Sequence, residues 1–195
     1  METPELTDLK QPIAIRTEHV AEHQTTLYIK QFRTLQNRDG DFKVYEDLGE
    51  APERRQLFFV DGRAPPFKQR RYFYDTSGAP LFDISGKKGT VTWCAYFPGE
   101  KKKSEPIARF APRWNPLINM LDVYVKNSAG NGEEVKLKVR GQDLLKHRIH
   151  VYLDKALVMS INRIRGHAVA TDTEWTAEVA RGMDISLVSP RLISN

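Results

Sequence analysis

The side chains best suited to metal ligation or nucleophilic attack are five histidines, His19, His23, His147, His150 and His167, and a lone cysteine, Cys94. His19 and His23 would share a face if helical, but they lie in a weakly patterned stretch with no carboxylate at a recognised ligand spacing. His150 falls on the strand face opposite Ile149 and Val151, which predicts a solvated histidine. Cys94 alternates with Trp93 in a strand pattern and reads as a small buried thiol. The sequence carries no glycine-rich phosphate loop, nucleophile elbow or paired-carboxylate motif. The expectation is a non-enzymatic protein with no catalytic residue, no metal and no cofactor.

The cations are more informative. Lys and Arg number 30 against 25 Asp and Glu, a net charge of +5, which suits an anionic partner without specifying one. Within KQRRYFYDTSGAPLFDISGKK, pairing the strands Arg70 to Asp75 and Leu81 to Ser85 across the turn Thr76 to Ala79 sets Asp75 opposite Pro80, Arg70 opposite Ser85 and Lys68 opposite Lys87. One end of that hairpin then collects Lys68, Arg70, Arg71, Lys87 and Lys88. Like charges placed opposite one another are mildly destabilising, so the cluster is either splayed into water, protecting an edge, or offset by a bound anion. Tyr72, Phe73 and Tyr74 interleave with it. However, the two tyrosines share a strand face opposite the phenylalanine, as packing alone requires, which disfavours stacking on nucleic acid.

The elements that must position these residues are short strands. Val135, Leu137 and Val139 alternate with Lys136, Lys138 and Arg140, the period of a strand with one face buried. The same period recurs at Leu121 to Lys126, Val91 to Phe97 and Trp175 to Val179. Further strands are expected at Leu27 to Phe32, Phe42 to Tyr45, Gln56 to Val60, Ile107 to Phe110, Ile149 to Leu153 and Leu157 to Ile161, with turn-formers such as Asp61-Gly62 and Pro98-Gly99 between them. Many short strands at close spacing imply an antiparallel sandwich or barrel.

Hydrophobic residues make up 40% and charged residues 28% of the 195 residues, enough for one folded domain. We expect residues 1–24 to be a loosely ordered arm, with Pro12 to Ile15 able to add an edge strand, and residues 25–195 to be the domain. The start METPELTDLKQP resembles no signal peptide, and no apolar run reaches the ~20 residues of a spanning helix. The expected location is therefore intracellular: cytoplasmic, at a membrane periphery, or nuclear.

Several motifs in order resemble the LURP-one-related family. Asp75, Ser77, Gly78, Pro80 and Leu81 are similar to its D-x-S-G-x-P-L hairpin, and Trp93 to its tryptophan in the next strand. Val139, Gly141, Ile161 and Arg163 match its later hairpins. Asp172, Thr173, Val179, Gly182 and Asp184 match a closing strand that runs into a Gly-x-Asp helix start. The resemblance implies a mainly β, tubby C-terminal-like fold: a closed antiparallel barrel of about twelve strands around a C-terminal apolar helix. It also implies a binding or adaptor module whose partner is an anionic membrane lipid such as a phosphoinositide. A protein-interaction scaffold without lipid affinity and a tubby-like transcriptional regulator stay open as alternatives.

The end of the chain, GMDISLVSPRLISN, sets a puzzle for that fold. Helical patterning begins at Met183 and stops by Ser189, because Pro190 lacks an amide proton and clashes with the preceding turn. That length, roughly 10 Å at ~1.5 Å per residue, is too short to fill a barrel of ordinary strands. Val188-Ser189 is also the dipeptide encoded by an intron donor consensus. The expectation drawn is a truncated helix, against the alternative that large side chains fill the lumen.

Overall fold

The computed structural model describes residues 5–32, 41–49, 54–62, 70–100, 104–114, 120–143, 147–165 and 172–188. Twelve strands among them make one closed barrel. They are β1 (Thr25–Phe32), β2 (Asp41–Asp47), β3 (Arg54–Asp61), β4 (Arg70–Asp75), β5 (Pro80–Gly86), β6 (Trp93–Tyr96), β7 (Ala108–Arg113), β8 (Met120–Lys126), β9 (Glu134–Gly141), β10 (Arg148–Leu153), β11 (Ala156–Arg165) and β12 (Thr173–Val179). Each runs antiparallel to its neighbours in sequence, and β1 closes the ring against β12, from Thr25 opposite Val179 to Gln31 opposite Thr173. Closure leaves no strand edge exposed to another chain. All twelve fall where the two-residue alternation places them.

Alternate residues of each strand fill the lumen. Leu27 and Ile29 of β1, Phe42 and Val44 of β2, Val123 of β8 and Ile161 of β11 are all buried. Phe73 and Phe82 stack with ring centroids 4.3 Å apart, and Phe42 stacks on Trp175 at 6.2 Å. Each such pair contributes about 0.5–1.5 kcal/mol beyond the area it buries.

The described part of the N-terminal arm, residues 5–24, is tied to the barrel end rather than loose. Ile13, Ala14, Ile15 and Ala21 are buried, and together with residues 180–188 they cover the barrel end where β1 starts and β12 stops. Ile13 N–H donates to the Gly182 carbonyl (2.9 Å), Asp184 N–H to that of Ile13 (3.0 Å), Ala21 N–H to that of Met183 (2.8 Å) and Gly182 N–H to that of Ala21 (2.8 Å). In place of an edge strand there are two isolated bridges, Ile13 with Met183 and Val20 with Asp184. The β8–β9 turn joins in. Asn127 accepts from Ala14 N–H at 3.0 Å through Oδ1, and its Nδ2 donates to the Pro12 carbonyl at 3.0 Å.

The C-terminal helix is likewise corrected. Its described part is a single 3-10 turn, Ile185–Leu187, with Met183, Leu187 and Val188 buried in the plug. Asp184 caps this turn and reaches beyond it. Oδ1 does accept from Ser186 N–H (2.8 Å), as an N-cap would, but Oδ2 takes the amides of Ile15 (2.9 Å) and Arg16 (3.1 Å), so the residue is tied across the chain. Ser189 onward lies outside the described residues.

The β4–β5 hairpin keeps the expected register at its base, with Arg70 opposite Ser85, but a bulge between Phe73 and Tyr74 sets Tyr74 opposite Pro80. Asp75 is thereby freed for the turn, where its Oδ1 accepts from Ser77 N–H (2.8 Å), Ser77 Oγ (2.6 Å) and Ala79 N–H (2.9 Å). Gly78 takes φ +85°, a conformation costly for any residue with a Cβ. The Ser77 hydroxyl, helped by these amides, holds the Asp75 carboxyl below its ordinary range. Asp75→Ala should lower Tm by a few degrees in a thermal melt, and its difference from the parent should shrink as the pH falls through that depressed value.

Candidate functional site

Outward-facing residues of β4 to β9 form one continuous row across the hydrogen-bonding direction: Arg70, Ser85, Cys94, Arg109, Tyr124 and Lys136. Residues directly opposite on adjacent strands lie about 5 Å apart, so the row sets three cations on one patch. Arg109 and Lys136 flank the Tyr124 ring, at 4.8 and 5.4 Å from its centroid. Each also has a carboxylate. Arg109 Nη2 donates to Glu134 Oε2 at 2.6 Å, and Lys136 Nζ lies 2.8 Å from Asp122 Oδ2.

Above the row a groove of about 580 Å³ opens between the β5–β6 loop and the β6–β7 connection, a volume ordinary for a small-ligand site. Ser85, Thr90, Thr92, Tyr96 and Tyr124 supply hydroxyls, Lys87, Lys88 and Arg109 supply positive charge, and Cys94 forms part of the wall. Burial, aided by the Cys94 thiol, pushes the Tyr96 phenol up, so it remains an O–H donor at neutral pH. The loop backbone is braced from within. Lys87 N–H donates to the Thr92 carbonyl (2.8 Å), while Thr90 N–H and Oγ1 both donate to that of Lys87 (3.1 and 3.0 Å). The lysine side chains are exposed, and among the described residues neither forms an ion pair.

The five cations expected at one hairpin end are thus distributed. Lys87 and Lys88 stand together at the groove. Arg70 is on the same outer face, but its Nε and Nη2 donate to the two oxygens of buried Asp83 at 2.8 and 2.6 Å; that contact raises its pKa further and spends most of its charge. Arg71 is on the inner face, its guanidinium 5.3 Å from the Phe42 ring. Lys68 lies outside the described residues. Arg109 and Tyr124 escaped the sequence reading; the signal available was their outward phase in strands already expected at Ile107 to Phe110 and Leu121 to Lys126.

The histidines stay dispersed. His19, in a 3-10 turn (Thr17–His19), packs its ring edge on Phe58 at 4.9 Å, and burial lowers its pKa. It shares a cleft of about 350 Å³ with His23, but Glu22, Glu46 and Arg55 line it too, so its charge is mixed. His150 is buried rather than solvated, with Nδ1 3.2 Å from the Tyr152 hydroxyl, and desolvation lowers its pKa. The described residues contain no group of three or more potential metal ligands, and His167 lies outside them.

Residues 25–189 match the sequence pattern of the LURP-one-related family. The chain belongs to that family. No curated protein matches it closely enough to count. A protein of Arabidopsis thaliana solved by X-ray crystallography shares the LURP-one-related chain's fold, with a TM-score of 0.63 over 93% of this chain and 95% of that one, at 17% identity. Much of the LURP-one-related pattern now has a structural explanation. Asp75, Ser77 and Gly78 build a turn, Gly182 and Asp184 build the plug, and Trp93 pairs with Phe110 in the wall. Lys87, Lys88 and Arg109 lie outside those motifs.

Proposed function

We propose that this LURP-one-related barrel is a non-enzymatic binding module that takes a phosphorylated headgroup of an anionic membrane lipid, such as a phosphoinositide, in the outer groove. It works at the membrane periphery as an adaptor. The observation that carries this reading is the pair Lys87 and Lys88, exposed and without carboxylate partners among the described residues, over a hydroxyl-lined groove backed by Arg109. Hydroxyl and ammonium donors together are what a phosphate monoester needs, and fold alone assigns no ligand. No described helix is long and apolar enough to cross a membrane.

Each near-surface lysine contributes about 1 kcal/mol toward an acidic bilayer. Reversing both in Lys87→Glu/Lys88→Glu should therefore weaken cosedimentation with phosphoinositide-containing liposomes by about thirtyfold or more, with Tm unchanged. Binding by the parent should also fall as salt is added. Unchanged binding by the folded variant would overturn the lipid site and leave a protein-interaction scaffold as the better account.

A further inference from the structure

Two large apolar side chains stand in solvent at the barrel end opposite the plug: Trp114 is 90% exposed and Val91 70% exposed. Val91 is in the β5–β6 loop that carries Lys87 and Lys88, and Trp114 directly follows Arg113, the last residue of β7. The β7–β8 ladder runs three residue pairs past Phe110, through Ala111 and Pro112 to Arg113 opposite Met120. At ~3.3 Å per residue that places Arg113 about 10 Å, and Trp114 about 13 Å, beyond the level of Trp93. The β5–β6 and β7–β8 hairpins are neighbours in the wall, so the indole and the valine are exposed at the same barrel end.

Isolated exposed hydrophobes are common and need no explanation. A tryptophan held almost wholly in water at the end of a strand, at the same barrel end as a second exposed apolar side chain and several cations, is a different arrangement. Lys87, Lys88 and Arg113 lie at the same end. Among the described residues of β5 to β8 near this end, the acids are Asp83 and Asp122, both buried and engaged by Arg70, Arg113 and Lys136. Indole favours the boundary between headgroups and acyl chains, while lysine and arginine favour acidic headgroups. Asp41 and Asp61 sit at the same end on the β2–β3 side, beside Arg70 and Arg71 at the start of β4.

We propose that Trp114 and Val91 insert into the interfacial layer of an acidic bilayer, docking the barrel by the end opposite the plug. This rests on the proposal that an anionic membrane is the partner, and adds the apolar anchor that places the groove at headgroup level. Such an anchor separates two components of binding: one screened by salt, one not.

The test uses vesicles of phosphatidylcholine and phosphatidylserine in which the acyl chains carry bromine, a short-range quencher of indole. Bound parent protein should be quenched, and Trp114→Phe should lose most of that quenching, since Trp175 is buried and Trp93 half-buried in the wall. Val91→Asp should bind at least tenfold more weakly. Neither variant should change Tm. If the parent binds in a salt-sensitive manner yet is quenched no more than Trp114→Phe, and Val91→Asp binds normally, insertion is overturned while headgroup binding stands. If the parent binds no acidic vesicle at all, both proposals fall, and the exposed side chains are left for a protein partner.

Discussion

Replacing Asp184 by asparagine should lower stability by about 3 kcal/mol and Tm by roughly 10 °C. The carboxylate is fully buried and has four donors arranged around it: Ser186 N–H and Oγ on Oδ1, Ile15 and Arg16 N–H on Oδ2. Asparagine has almost the same shape but only one acceptor oxygen. Whichever way its amide is turned, an NH₂ faces at least one buried N–H that has nowhere else to donate. The pH dependence separates this cost from simple loss of packing. Burial pushes the Asp184 carboxyl up to about 6 from an ordinary 3.8, against the pull of the four hydrogen bonds. The folded protein then holds the proton more tightly than the unfolded chain. The stabilisation is therefore full below about pH 4 and is lost as pH rises through 6, by about 3 kcal/mol for a shift of that size. Asp184→Asn removes this slope, so chemical denaturation should show the variant further below the parent at pH 5 than at pH 7.5. Equal deficits at both pH values would show that the carboxyl titrates elsewhere.

A comparable loss is expected from Gly182→Ala, about 2 to 4 kcal/mol. Gly182 holds φ +88°, and a Cβ there would sit 2.9 Å from Leu9 Cβ and 3.2 Å from the Leu9 carbonyl oxygen. The backbone strain and the close contact act on the same two segments, since Leu9 N–H donates to the carbonyl of neighbouring Arg181. Hydrogen exchange distinguishes local from global failure. Faster exchange confined to Ile13, Ala21, Gly182 and Asp184 would mean that the plug opens while the barrel holds; uniform acceleration would mean that the barrel depends on it.

The walls of this protein are legible because a half-buried strand writes its period into a few adjacent residues, as Val135 to Arg140 do. The plug is not, because its partners are far apart in sequence. Ile13 to Ile15 look like a stray apolar cluster until Met183 and Asn127 are known to meet them. Met183 to Val188 have enough apolar residues to suggest a helix. Nothing local says that the Asp184 carboxylate will be claimed by amides almost 170 residues away rather than by its own first turn alone. The basic hairpin shows a third case. Its register was readable from the turn at Asp75 to Ala79, but Arg70 and Arg71 are adjacent, and adjacent strand residues must face opposite sides. The cluster was therefore bound to split, leaving the groove's charge to Lys87, Lys88 and Arg109.

The pairing of β1 with β12, reinforced by the contact between the arm and residues 180–188, also bears on how the chain acquires its shape. As the ribosome releases the polypeptide from its amino end, β1 has β2 to pair with on one side only. Its other partner, β12, is made about 150 residues later. Until then Leu27 and Ile29 border an open sheet with one raw edge, the kind of surface that recruits other unfinished chains. Closing the loop between the first and last strands costs chain entropy before it yields any contact, so refolding should be slow for a domain of this size, in the range of milliseconds to seconds. Yield on expression would then respond to chaperone supply more than to the equilibrium stability of the finished barrel.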